Sequence, residues 1–167
     1  MSGALIVTAE MGAEDSAWLD GQRTRHFPPE RNQLAAHLTM FHALPPSSEP
    51  EAERVLAREA AGPPPRATLA GLMNLGGGVA YRVVSDELDG IRARIAHHFH
   101  GLLTAQDGQG WRPHVTIQNK VSSRQAKLLF DELQASFQPR PLAIRGLLLH
   151  RYLGGPWDSI GKWRFRG

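Results

Sequence analysis

Two four-residue stretches constrain this chain more than any other feature: His37-Leu38-Thr39-Met40 and His114-Val115-Thr116-Ile117. Each reads His, apolar, Thr, apolar. Alternate side chains of an extended strand point to opposite faces. Each copy therefore predicts a strand that packs one face on a core and holds an imidazole and a hydroxyl together on the other. One copy would carry little weight. Two, both with apolar residues in the intervening positions, are rarely met by chance.

The chain repeats one order of elements around each copy. After His37 come a serine-led helix signal, with Ser48 as cap, Pro50 in the first turn and Glu51 closing a capping box, then a strand holding Gly71-Leu72-Met73 and a turn at Gly76-Gly77. After His114 come Ser122 and Gln125 opening a helix in the same style, a strand holding Gly146-Leu147-Leu148 and a turn at Gly154-Gly155. His37 to Gly71 is 34 positions (71 − 37), and His114 to Gly146 is 32 (146 − 114). The pattern predicts a duplicated strand–helix–hairpin unit. A pseudo-two-fold axis between the copies would bring both His-Thr faces to one cleft. Residues 1–167 thus read as a single domain of two pseudo-symmetric lobes.

The other elements follow from periodicity and punctuation. Residues 5–9 read as a first strand, and residues 13 to about 24 as a helix with Trp18 and Leu19 inward. The first motif lies in a strand over 34–44, stopped by Pro45-Pro46. Ser85 caps a helix with Leu88, Ile91, Ile95, Phe99 and Leu102 at helical spacing, and 104–110 reads as a polar loop. Ala126, Leu129, Phe130, Leu133 and Phe137 line the inner side of the helix after Ser122, and 157–165 reads as the last strand.

Composition excludes several function classes. The net charge of +3 is spread without a polybasic block, which permits an anionic ligand but gives no duplex-DNA footprint. No apolar run approaches the ~18–20 residues of a membrane span. There is no cysteine, hence no disulfide or thiolate metal site, and the N-terminus has no signal-peptide pattern; a cytoplasmic protein is the expectation. His97, His98 and His100 have no carboxylate at ligand spacing and read as solvated surface, so no metal and no cofactor are expected.

Two imidazoles facing one substrate make an acid–base pair. An unperturbed pKa of about 6.5 lets one copy be neutral and the other protonated near neutral pH. The neutral copy takes a proton from an attacking water or hydroxyl, and the protonated copy gives one to the leaving oxygen. The two Thr hydroxyls can donate to non-bridging phosphate oxygens. Such a set suits in-line displacement at phosphorus without a metal.

On these paired motifs and duplicated halves, the sequence resembles the 2H phosphoesterase superfamily, in its bacterial 2′-5′ RNA ligase-like and cyclic phosphodiesterase branch. The resemblance implies an α+β, bilobal, duplicated fold with two antiparallel sheets around a central cleft and helices on the outer faces. It implies a metal-independent phosphoesterase acting on 2′,3′-cyclic phosphate ends of RNA or related cyclic nucleotides. The alternatives are an RNA 2′-5′ ligase using the same site, or a nucleotide- or RNA-binding module without turnover. His37, Thr39, His114 and Thr116 match the motif and are the implied catalytic residues. By the same analogy His114 activates the water and His37 protonates the leaving ribose oxygen, although a substrate bound in the other sense would swap the roles. The implied partner is RNA or a nucleotide with a cyclic phosphate, with no membrane, and a monomer is favoured.

Strand parity extends the expected cleft. Phe41 should share the His37 face, Gln118 and Lys120 the His114 face, and His150 and Tyr152 one face of a late strand. Phe41 or Tyr152 could stack on a base, and Lys120 or Arg151 could meet a phosphate. By the same parity His42 faces away from the site. The tryptophans at 111, 157 and 163 read as packing residues.

Overall fold

The structure, a computed structural model, describes residues 3–167. These form seven strands, β1 (Leu5–Met11), β2 (Leu38–Leu44), β3 (Arg66–Asn74), β4 (Val79–Val84), β5 (His114–Gln118), β6 (Arg140–Tyr152) and β7 (Trp157–Arg164). The α-helices are α1 (Ala13–His26), α2 (Glu49–Glu59), α3 (Asp86–His98), the short α4 (Ala105–Gly108) and α5 (Ser123–Ser136). No helix among the described residues is long and apolar enough to cross a membrane.

The architecture is α+β, as expected, and its strands fall into two antiparallel sets, one of β1, β2, β6 and β7 and one of β3, β4, β5 and β6, that share β6. They make one antiparallel sheet in the order β2-β1-β6-β3-β4-β5, with β7 also on β6. The long β6 joins two wings. Its first four residues, 140–143, pair with β3, and residues from Ile144 to Arg151 pair with β1. The motif strands β2 and β5 stand at opposite ends of this order, yet they lie against each other. The sheet therefore curls until its ends meet.

Pairing shows a repeat, but not the strand–helix–hairpin unit expected from the sequence, in which β7 would answer β4. β1 lies between β2 and β6, and β4 lies between β5 and β3. Exchanging β1 with β4, β2 with β5 and β6 with β3 maps this order onto itself. β7 has no counterpart in the exchange. The buried core runs through both wings, with Leu5, Val7, Leu38, Met40 and Leu147 from one and Leu69, Val83, Val115, Ile117 and Ile95 from the other.

Both motif strands depart from strict alternation at the same place. Thr8 pairs with Thr39 and Val7 with Phe41, so Met40 is an extra residue on β2. Ala80 pairs with Thr116 and Val79 with Gln118, so Ile117 is the extra residue on β5. These are β-bulges, and each reverses the parity of the residues beyond it. Met40 and Phe41 are both fully buried, as are Ile117 and, to 7 % exposure, Gln118. Gly78 accommodates the second bulge: a Cβ there would sit 1.9 Å from the Gln118 carbonyl oxygen.

Helix ends show where local signals won and lost. Ser122 and Gln125 form the full capping box, and Ser85 caps α3 through the Leu88 amide. Ser48 makes no capping bond. It ends a 3-10 turn, Pro46–Ser48, at φ −88° and ψ 7°, not the extended geometry of an N-cap. Glu51 instead pairs with Arg54 and His98. Leu102 lies beyond the end of α3 and is exposed, while Phe99 at the cap is buried.

Candidate active site

The motif residues meet in one cavity of about 320 Å³, lined by His37, Thr39, His114 and Thr116 together with His42, Arg112, Trp111 and Trp157. Leu38, Met40, Val115 and Ile117 are fully buried behind them. His37 stands one residue before β2, and its Nδ1 donates to the Ala35 carbonyl at 2.8 Å. His114 opens β5, and its Nδ1 donates to the Arg112 carbonyl at 2.7 Å. A carbonyl only accepts, so Nδ1 carries the hydrogen in both rings. Each Nε2 is thereby the nitrogen left for substrate: a proton acceptor in the neutral ring, a donor in the imidazolium.

Burial lowers the His37 pKa from its ordinary value, and the charges of Arg23, His150 and His42 push the same way, against the bond to Ala35. Neutral His37 is therefore favoured in the free protein, the state a general base needs.

Two buried guanidiniums stand behind the motif strands. Arg23 of α1 donates to the Thr116 carbonyl at 3.1 Å and stacks over Phe27. Arg92 of α3 donates to the Met40 carbonyl at 3.1 Å and stacks over Phe41. Burial lowers both pKa values, opposed by Asp20 and Asp107 respectively. An arginine stays charged even so, so the pair adds positive potential where a phosphate would sit. Trp111 crosses between the motif strands, donating from Nε1 to the Thr39 carbonyl at 3.1 Å.

The expected accessory residues are not in this cavity. The β2 bulge turns Phe41 into the core, under Arg92. Arg151 donates to the Gly3 carbonyl and is paired with Glu49. Lys120 sits in a turn past β5 at φ 64°, exposed and outside the lining. Tyr152, at the end of β6 opposite Trp157, is outside the lining as well. Gln118 is buried instead of sharing the His114 face.

Other side chains take those places. The bulge that buries Phe41 turns His42 outward to the cavity, the reverse of its expected orientation. Trp157, at the start of β7, packs edge-on against His37 with ring centroids 4.8 Å apart and lies 5.1 Å from the His150 ring. His150 bonds the Thr8 hydroxyl through Nε2 at 2.9 Å, and burial lowers its pKa. His98 pairs with Glu51, and among the described residues no group of three or more His, Asp or Glu is arranged to hold a metal ion. The sequence did carry a signal for Arg92, which falls on the apolar stripe Leu88–Arg92–Ile95.

A strand order that repeats itself, ending in two strands that bring paired His and Thr side chains to one cavity, defines a 2H phosphoesterase. The chain belongs to the 2′-5′ RNA ligase superfamily, whose family profile matches residues 13–156. That membership makes it an enzyme of the phosphoesterase or RNA ligase kind. No curated protein matches the chain. Among solved structures it is similar to TT0787 of Thermus thermophilus, at 17% identity, 98% coverage of both chains and a TM-score of 0.67. It is similar to E. coli LigT complexed with 3′-AMP, at 16% identity, 100% coverage of both chains and a TM-score of 0.63. A structure described as a phosphoesterase matches at 17% identity, 100% coverage of both chains and a TM-score of 0.64. These likenesses establish the shared fold.

Proposed function

We propose that the protein is a metal-independent phosphoesterase that opens 2′,3′-cyclic phosphates on RNA ends or nucleotides, working as one domain of two pseudo-symmetric lobes. The observation that carries this reading is the matched pair of histidines. Each is fixed through Nδ1 to a carbonyl two residues upstream, and each leaves Nε2 free beside a threonine in one cavity.

Where the family resemblance implied His114 as the base, the lowered pKa of His37 supports His37 in that role. His37 takes a proton from water as the water oxygen bonds to phosphorus. One ring P–O bond breaks, and His114 gives its Nε2 proton to the leaving ribose oxygen, yielding a phosphomonoester and a free hydroxyl. Thr39 and Thr116 donate to the non-bridging oxygens, and the field of Arg23 and Arg92 favours the charge gathered there.

The test is incubation with a nucleoside 2′,3′-cyclic phosphate in EDTA, alone and with an RNA bearing a 5′ hydroxyl. Phosphomonoester as product is the expected result. Joined RNA as the main product would make the chain a ligase. Binding without either product would refute turnover.

A further inference from the structure

One cluster in the cavity is not used by the proposed reaction. His42 lies past the β2 bulge, with its side chain 44 % exposed, and its Nδ1 is 3.1 Å from Asp107 Oδ1. The Asp107 carboxylate has no solvent exposure. It accepts from the His42 amide at 2.8 and 3.0 Å and from the Ala43 amide at 2.9 Å. The α4 segment that carries Asp107 is itself pinned, since Arg92 donates to the Asp107 carbonyl at 2.8 Å. His42 is thus braced from behind by a buried anion, with its other face to the cavity. Arg112 and Gln106 line the same cavity.

Size points the same way. At ~30 Å³ per water, a cavity of about 320 Å³ has room for roughly ten waters. A phosphate group, with five heavy atoms, fills only part of that space. The four motif residues can engage one phosphate, and part of the cavity is left over. The remainder sets the polar groups of His42, Gln106 and Arg112 beside the apolar surfaces of Ile6, Trp111 and Trp157. With Nδ1 committed to the Asp107 carboxylate, His42 leaves Nε2 as its remaining polar atom at the cavity, and the Arg112 guanidinium in the same lining suits phosphate.

We propose that His42, braced by Asp107 and joined by Arg112, forms a second phosphate subsite, which takes the 5′-phosphate of the nucleoside whose 2′,3′ end sits between His37 and His114. The subsite deepens the proposed function and rests on it for the identity of the first phosphate. It makes the preferred substrate a nucleotide phosphorylated at both ends, either a free 5′-phosphomonoester or the last residue of an RNA chain.

Calorimetric titration of the full chain with unreactive, product-like ligands tests this. The probes are adenosine 3′-monophosphate, adenosine 3′,5′-bisphosphate and the dinucleotide ApA with a terminal 3′-phosphate. The wild-type protein should bind the two ligands with a 5′-side phosphate roughly 10- to 100-fold more tightly than the monophosphate, as expected for a charged hydrogen bond. In His42→Ala, and separately in Arg112→Ala, that ratio should fall toward one. A preference for the bisphosphate alone would assign the subsite to free nucleotides, and a preference shared with the dinucleotide to RNA ends. A wild-type ratio near one, or a ratio that neither substitution moves, overturns the proposal. Because no turnover is involved, a protein that opens cyclic phosphates but fails this test loses only the subsite. One that passes it without turnover loses only the reaction.

Discussion

Asp107→Ala should be the most destabilising single substitution at the site, and the cost can be worked from its partners. The carboxylate serves two main-chain amides on the outer edge of β2, His42 and Ala43, and one imidazole. Truncation strands two buried N–H groups at about 1–3 kcal/mol each. Allowing for water entering the space, about 3–5 kcal/mol should be lost from a total of ~5–15 kcal/mol. Asp107→Asn keeps one good acceptor but turns an NH₂ toward the other amide, so it should cost about 2–4 kcal/mol. His42→Ala removes only a half-exposed ring and should cost under ~1 kcal/mol. Burial alone would raise the Asp107 pKa, but the bonds from the His42 side chain and from the His42 and Ala43 amides outweigh it and lower the value. A carboxyl whose folded pKa lies below its unfolded value of about 3.9 stabilises above that value and loses the contribution as pH falls through the folded pKa. The gap between wild type and Asp107→Ala should therefore be full at neutral pH and narrow below about pH 4. Urea unfolding at several pH values measures it. Equal losses for Asp107→Ala and His42→Ala at neutral pH would refute the account, because the main-chain amides would then contribute nothing.

With His37 as base, the acidic limb of kcat/KM against pH should lie below the ordinary histidine value of about 6.5, since the lowered His37 pKa sets it. His37→Ala and His114→Ala should each cost roughly 10²–10⁴-fold, and the double variant less than the product of the two. A substrate with a much better leaving group should rescue His114→Ala and leave His37→Ala slow; the opposite pattern would restore the reverse assignment. Thr39→Ala and Thr116→Ala should lower turnover about 10- to 150-fold at unchanged thermal stability, from roughly 1.5–3 kcal/mol per hydrogen bond to a charged group. Near-wild-type rates in both would make them strand formers only. Ser122→Ala should cost about 1 kcal/mol on urea unfolding, with Ser48→Ala near zero, because only Ser122 caps its helix.

The four motif residues were legible because one rule, alternation along a strand, placed them, and it holds from His37 to Met40 and from His114 to Ile117. It fails one residue later. A bulge adds a residue without a chemical signature when both neighbours are apolar, as Met40 and Phe41 are. The parity argument therefore exchanged Phe41 and His42 between core and cavity. On β5 the same slip buries Gln118, which nothing in a polar side chain announces. The segment 104–110 was legible only as polar. Its one carboxylate, Asp107, looks like any solvated one until the strand edge it covers is in place. Ser48 had the right chemistry for a cap, but Pro45 and Pro46 set the turn before it. The helices with long apolar stripes, α3 and α5, were the most readable, since each stripe has one surface to cover.

Between Ala143 and Ile144, β6 passes from one wing to the other, so the strand-to-strand path between the two motif strands runs through that joint. The joint is clamped on both sides of one residue: Gly12 donates to the Ala143 carbonyl at 2.9 Å, and Asp15 accepts from the Ala143 amide at 2.8 Å. A Cβ on residue 12 would come within 2.9 Å of the Ala143 side chain, so this clamp closes only around glycine. The two histidines ride on the far ends of the wings that meet there. Along the sheet, the two imidazoles are thus joined only through β6, the strand that both wings share.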